Sequence, residues 1–247
     1  MIRAAALSLG LILAGPSYAA APSPAIDAAV ADPSRPAADR DRDSERKPAE
    51  MLAFAGVKPG MTVIDLLPGG GYFTRLFSDA VGPNGKVGAY VPDEFLTSHP
   101  KALDGVKAIA AEPSHKNIEA IHDPALQAGP ANMADVVWTS QNYHDLHNVA
   151  GLDLIAFNKV LFNMVKPGGV YVVLDHSGVP GSGFSETNTL HRIEAAQVRK
   201  EVEAAGFKYD GENKVLANPA DPRTAKVFDP SIRGHTDQFI LRFRKPG

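Results

Sequence analysis

The side chains best suited to chemistry in this chain are a small set of histidines and their neighbours. Asn142-Tyr143-His144-Asp145 follows the apolar run ADVVWTS at 134–140. His176 follows a second apolar run at 170–174, and His191 opens a later periodic segment. A neutral imidazole near pH 7 is the natural group to take a proton from a hydroxyl or an amine. The assignment that follows makes His144 a general base or substrate hydrogen-bonder, with Asp145 or Tyr143 orienting it and His176 nearby. Blander roles compete: Asp145 also suits a helix cap, and His147 suits solvent. A metal centre needs three or four ligands at fixed geometry. His144, His176, His191 and Glu186 are the residues that could gather, but no HxxxH or HxH spacing occurs, so no metal is expected. Serine hydrolysis is not expected either, because Gly181-Ser182-Gly183 lacks the outer glycines of a nucleophile elbow. Residues 178–185 read instead as a mobile loop over the site. The absence of cysteine excludes disulfides, thiolate-zinc sites and cysteine nucleophiles.

Such residues need strand ends to hold them together, and the pattern from residue 50 onward supplies strands. Met61 to Leu67 is apolar on both faces, as parallel-sheet strands are. It runs into Gly69-Gly70-Gly71, which permit positive φ and a close backbone approach. Phe73, Leu76, Phe77 and Ala80 then fall on one helical stripe, stopped by Gly82-Pro83. The alternation repeats: strands at 86–91, 117–121, 134–140 and 170–174, helices at 94–111 and 152–165, and a helix at 189–205 with Leu190, Ile193, Val198, Val202 and Ala205 inward. Segments at 207–209, 214–217 and 238–244 read as late strands that pair antiparallel, since no full helix separates the last two. Five strand–helix steps followed by a hairpin is the predicted topology. Its ligand belongs beyond the carboxyl ends of the strands, near the point where strand order reverses.

Four stretches carry a resemblance: RKPAE at 46–50, VIDLLPGGGYFTRL at 63–76, NYHDLHN at 142–148, and the KPGG turn before VYVVLDHS. From about residue 50 to the C-terminus the chain resembles the class I S-adenosylmethionine-dependent methyltransferases, and more narrowly a group of bacterial exported proteins described as predicted methyltransferases. The resemblance implies an α/β, Rossmann-like, doubly wound sheet of seven mostly parallel strands with a C-terminal antiparallel hairpin. It implies S-adenosyl-L-methionine as cofactor, with Asp65 and Gly69, Gly70 and Gly71 against its methionine part. Asp93 then stands for the ribose-binding residue, Asp123 for the adenine contact, and Asn142 joins the cofactor set. The departures are Leu67 and Pro68 where the family loop carries its first glycine and the next position, and the lack of an acid near Val91. Asp93 or Glu94 can replace that acid only if the loop bends back.

The 247 residues, 44% of them hydrophobic, can bury a sizeable core as one domain. A formal net charge of −3 argues against a nucleic-acid binder. Met-Ile-Arg3, the small apolar run at 4–14 and Ser17-Tyr-Ala-Ala-Ala21 have the three-part layout of a secretory signal. The expected organisation is a signal peptide at 1–21, a linker and helical arm at 22–48, and a methyltransferase-like domain at 49–247. The expected location is periplasmic or secreted, with no stable membrane span after cleavage. Sign alternates from Asp39 to Lys47, which reads as a solvated helix face, although an arm donating Arg42 or Arg46 to the ligand is a second reading. Arg223 and Arg233, in the irregular stretch 218–237, could clamp an anionic substrate. The functional expectation is methyl transfer to a small molecule. Its rival is an exported scaffold or binding protein with the same fold and no turnover.

Overall fold

A computed structural model describes residues 21–127 and 129–247. The signal peptide expected at 1–21 lies, but for its last residue, outside the described residues. The strands are β1 (Thr62–Leu66), β2 (Lys86–Tyr90), β3 (Ile118–Ile121), β4 (Ala134–Ser140), β5 (Val165–His176), β6 (Lys208–Asn213) and β7 (Gln238–Arg244). They form one seven-stranded sheet in the order β3-β2-β1-β4-β5-β7-β6. The first five are parallel, and β7 runs antiparallel to both of its neighbours. This is the doubly wound arrangement expected from the alternation of apolar runs and helical stripes. Strand order reverses between β1 and β4, and their carboxyl ends therefore frame the ligand crevice.

The helices are α1 (Pro24–Ala31), α2 (Ala37–Arg40), α3 (Asp43–Arg46), α4 (Pro48–Ala55), α5 (Tyr72–Val81), α6 (Asp93–Ser98), α7 (Asp104–Ala110), α8 (Tyr143–Leu146), α9 (Leu154–Met164) and α10 (Ala195–Ala204). In α5 the stripe Phe73, Leu76, Phe77 and Ala80 is buried. Phe73 and Phe77 pack on Trp138 of β4, with ring centroids 4.8 and 5.7 Å apart. Apolar burial of this kind, about 25 cal/mol per Å², holds the first strand–turn–helix rigid against the strand beside it.

The arm before residue 48 is docked rather than extended. Ile26 and Ala29 of α1 are buried. The Arg35 guanidinium forks onto the Asp43 carboxylate with two contacts of 2.7 Å, and the Tyr72 hydroxyl donates to the same carboxylate at 2.6 Å. That network ties α3 to the start of α5.

Three local expectations change. The helix expected over 94–111 breaks into α6 and α7, because Pro100 disfavours helical geometry at His99 before it. The strand expected at 214–217 is absent, and β7 pairs with β6, at 208–213, on one side and with β5 on the other. The helix expected over 189–205 starts only after Glu194. Before it His191 takes a left-handed φ of 56°, and Ile193 bridges in parallel to Ser177 beyond β5. Ile193 is inward, as its position in the stripe suggested, but it is buried by strand-like pairing, and this leaves His191 free to turn toward the crevice.

Candidate active site

Asp65 is buried in β1 and accepts a 2.6 Å hydrogen bond from Thr74 Oγ1 of α5. Burial drives its pKa up to about 7, against the pull of the Thr74 hydrogen bond and the Arg46 charge. Beyond it Leu67 occupies the left-handed region with φ 53°, a conformation that costs a non-glycine residue about 1–2 kcal/mol. Two hydrogen bonds hold it there: its N–H donates to the Tyr90 carbonyl at 2.9 Å, and the Asn142 side-chain amide donates to its carbonyl at 2.7 Å. Leucine therefore follows the backbone path that glycine would take, and its side chain is 4% exposed.

The turn itself divides its glycines by role. Gly69 has φ 57°, and neither Gly69 nor Gly70 has any atom within 4 Å of where a Cβ would stand. Gly71 has φ 84°, and a Cβ there would collide with Ile109 Cδ1 of α7. The first two thus leave main chain open to a ligand, while the third is needed by packing.

Two cavities meet over this turn. The first, of about 490 Å³, is walled by Val91, Phe95 and Ala102, with Lys101 at its edge. The second, of about 370 Å³, is polar and is lined among others by Arg46, Asp65, His144, Asp145, His176 and His191. Leu67, Gly69, His99, Asn142 and Asp145 line both, so the crevice is continuous across the ends of β1 and β4. Each cavity falls in the size range of small-molecule sites.

At the polar end His144 sits on α8, 2% exposed. Its Nδ1 lies 2.8 Å from Asp175 Oδ1, and its backbone N–H donates to Asp175 Oδ2 at 2.8 Å. Asp175 is fully buried at the end of β5 and also accepts the His176 N–H at 2.8 Å. With these donors around it the carboxylate stays ionised: burial opposes the charge, but His144 outweighs it and lowers the pKa. Burial likewise opposes a charge on His144, while Asp175 and Asp145 outweigh it and raise the imidazole above its usual value. His144 Nε2 points the other way, 3.2 Å from His191 Nδ1 and 3.3 Å from Asp145 Oδ1. His176 is pushed down to about 4, chiefly by burial, and shares a 2.8 Å contact between its Nδ1 and Thr236 Oγ1.

The arm contributes a residue as well. Arg46 of α3 lies over the rings of Tyr72 and Phe73, its Cζ 4.4 and 4.9 Å from their centroids, and donates to Ser140 Oγ at 3.1 Å. Burial first, then Arg42, lowers its pKa to about 10. The cation is thereby held against the β1–β4 crevice close enough to act on Asp65. The arm thus places Arg46 beside the crevice, and Arg42 lines the same cavity.

The crevice thus brings together Asp65, Gly69, Gly70, Asn142, His144, Asp145, His176 and His191 of the residues singled out in the sequence. Tyr143 does not line it: its buried hydroxyl donates to Glu201 at 2.8 Å and accepts from Asn158. The orienting partner of His144 is Asp175 instead. Asp93 pairs with His122 at 2.8 Å, and Glu94 accepts the Ala125 N–H, so the loop after β2 does not bend either acid into the crevice. Asp123 is exposed, and its carbonyl accepts the Asp93 N–H. Arg223 pairs with Asp237 at 2.9 Å and lines a different cavity. Asp175 and His99 were not assigned from the sequence. The signal for Asp175 is an acid closing an otherwise apolar strand at its carboxyl end.

Similarity to known proteins agrees with this geometry. No protein-family model matches the chain. It is 29% identical over 193 residues to the ubiquinone/menaquinone biosynthesis C-methyltransferase UbiE of Ectopseudomonas mendocina, covering 77% of this chain and 65% of that protein. The chain therefore spans less than two thirds of that relative's length. A crystal structure of an S-adenosylmethionine-dependent methyltransferase from Aquifex aeolicus superposes with a TM-score of 0.58 at 20% identity, covering 86% of this chain and 93% of that one. The [4+2]-cyclase SpnF superposes with a TM-score of 0.59 at 16% identity, covering 94% and 98%. The fold is that of the class I S-adenosylmethionine-dependent methyltransferases. Its occurrence in a cyclase shows why the reaction has to be argued from the site.

Proposed function

We propose that the protein is an S-adenosylmethionine-dependent methyltransferase acting on a small molecule. The observation that carries the reading is the continuous crevice, which joins an apolar cavity, an open glycine turn and a polar cavity ending at His144. Its residues fit the cofactor. Gly69 and Gly70 leave space for a close approach, Asp65 offers a carboxylate to an ammonium, and Phe95 with Val91 offers an apolar wall to a purine. No carboxylate of the loop after β2 meets the ribose, so the hydroxyls must be held by other groups. When bound, the sulfonium supplies an activated methyl group, transferred by in-line displacement.

The chain's own contribution is alignment and proton removal. Asp175 keeps the Nδ1 proton of His144 in place, so Nε2 presents its lone pair to the polar cavity. An acceptor hydroxyl, amine or acidic carbon held there loses its proton to Nε2 as the new bond to carbon forms. His176, neutral at pH 7, and His191 are placed to hold the acceptor by hydrogen bonds.

Calorimetric titration of the purified protein with S-adenosylmethionine tests the reading. Saturable binding that His144→Ala retains, together with product formation that His144→Ala loses, is the expected pattern. The absence of both heat and a melting shift at millimolar cofactor would sink it. Location outside the cytoplasm is proposed on residues 1–21 alone, and fractionation with N-terminal sequencing of the mature chain decides it.

A further inference from the structure

We propose that His144, His191 and Asp145 form a binding site for one divalent zinc-like cation at the inner end of the crevice. The three donor atoms are His144 Nε2, His191 Nδ1 and Asp145 Oδ1. Their mutual separations are 3.2, 3.3 and 3.6 Å. A tetrahedral ion with bonds of about 2.0–2.1 Å has donor–donor edges of about 3.3 Å. An octahedral ion with the short bonds of magnesium needs edges nearer about 3.0 Å. The triangle has the edge lengths of a tetrahedral face, and two imidazoles with one carboxylate are the donor set of zinc sites that keep an open fourth position.

The electrostatics of the triangle point the same way. Asp175 accepts backbone N–H groups from His144 and His176 and faces Nδ1 of His144 at 2.8 Å. It is an acceptor only, so the Nδ1 of His144 carries the proton, and in the neutral ring Nε2 carries the lone pair. That lone pair stands 3.3 Å from a carboxylate oxygen of Asp145. Two acceptors at that distance repel unless something positive lies between them. A proton on Nε2 would serve, and so would a cation shared by all three donors. The carboxylate–imidazole pair Asp175–His144 is also the outer support that metal-ligating histidines usually have, fixing both tautomer and ring orientation. Its rigidity contrasts with His191, which is reached through a left-handed turn and whose side chain is 22% exposed. The site is thus half fixed by the sheet and half closed by the segment after β5.

The spacing argument against a metal fails here for a topological reason. His144 and His191 are 47 residues apart in sequence, on the segments that follow β4 and β5, and these adjacent parallel strands deliver both to one end of the sheet. With the cation bound, His144 no longer takes the acceptor's proton. An acceptor oxygen at the open position becomes acidic by coordination and releases its proton to solvent. Cation binding itself does not depend on the methyl-transfer reading, because it is measured with no sulfonium compound present.

The test uses untagged full-length protein, stripped with a chelator and titrated with zinc chloride by calorimetry, with metal content counted after gel filtration. One equivalent is expected, lost or weakened at least about tenfold in His191→Ala and Asp145→Asn, with Asp175→Asn weakened about 10–100-fold through its support of the ligand. Cobalt chloride should give the visible absorption of a tetrahedral site, absent from His191→Ala. Zinc binding below one equivalent, or binding equally tight in His191→Ala, overturns the proposal. So does a proton seen by NMR on His144 Nε2 at saturating zinc. Retained S-adenosylmethionine binding in the stripped protein separates failure of the metal site from failure of the methyltransferase reading.

Discussion

Asp175 grips His144 twice, by ring and by main chain, with both contacts at 2.8 Å. A carboxylate can accept from both donors and from His176 as well, whereas an amide presents one oxygen and one NH2 group. Asp175→Asn therefore turns its N–H against a buried donor. The expected loss of stability is about 3 kcal/mol, read by urea denaturation at pH 7.5. Activity should fall further than stability, by about 10²–10⁴-fold, because the base loses its fixed tautomer. A variant that unfolds at the wild-type midpoint would show that the double grip is not what holds α8 on β5.

Asp65 makes the same crevice sensitive to pH in the opposite sense from a paired surface carboxylate. Its folded pKa, about 7, stands above the unfolded value of 3.8. The native state thus holds this proton more tightly, and the stabilisation is complete below about pH 4. It is lost as pH rises through about 7. Across pH 5 to 8, Asp65→Asn should flatten this part of the melting profile and remain as stable as the wild type at the alkaline end. The cofactor's ammonium needs the ionised form, so affinity for S-adenosylmethionine should rise with pH through the same window in the wild type and not in the variant. Parallel wild-type and Asp65→Asn profiles in both measurements would remove Asp65 from the binding role.

Leu67 sets burial against backbone strain. Replacing it by glycine relieves a left-handed strain of about 1–2 kcal/mol but removes a side chain whose burial, judged by truncations in other cores, is worth about 2–5 kcal/mol. The side chain should win: Leu67→Gly is expected to be about 1–3 kcal/mol less stable, with cofactor affinity kept or improved. Differential scanning calorimetry and a cofactor titration on the same sample give both numbers. A stabilised Leu67→Gly would mean that strain, not packing, dominates at this turn.

The centre of the sheet was readable because β1, β4 and β5 carry runs buried on both faces, whereas the polar edge strand β6 gave no such signal. The stripe of α5 and the Gly82 stop obey local rules, and Trp138, one strand away, completes the packing they imply. The polar end of the crevice was less readable because its contacts are non-local. His144 lies on α8 after β4 and Asp175 near the end of β5, 31 residues apart, and nothing in NYHD says that the partner will be the acid of LDHS. The helical stripe at 189–205 misled for a related reason: Ile193 is buried, as periodicity demands, but by bridging Ser177. Arg46 was read first as one charge in an alternating run, and as an arm-donated residue only second, because the run gives no sign that Tyr72 and Phe73 lie beneath it.

The glycine turn separates ligand contact from folding, and two substitutions can tell them apart. At Gly70 the added methyl meets nothing within 4 Å and φ is not positive. Gly70→Ala should therefore fold as well as the wild type, or slightly better through a stiffer unfolded chain, by up to about 1 kcal/mol. If the main chain of this turn lies against the cofactor, the same methyl intrudes on it, and affinity for S-adenosylmethionine should fall at least about tenfold, or 1.4 kcal/mol. Gly71→Ala should behave in the reverse way. Its φ of 84° and the collision with Ile109 are properties of the fold, and about 2 kcal/mol or more of stability should be lost whether or not ligand is present. Melting curves with and without cofactor resolve the pair. A Gly70→Ala protein with wild-type affinity would mean that the ligand does not approach the main chain here, and the crevice would have to be filled by something other than an adenosyl sulfonium.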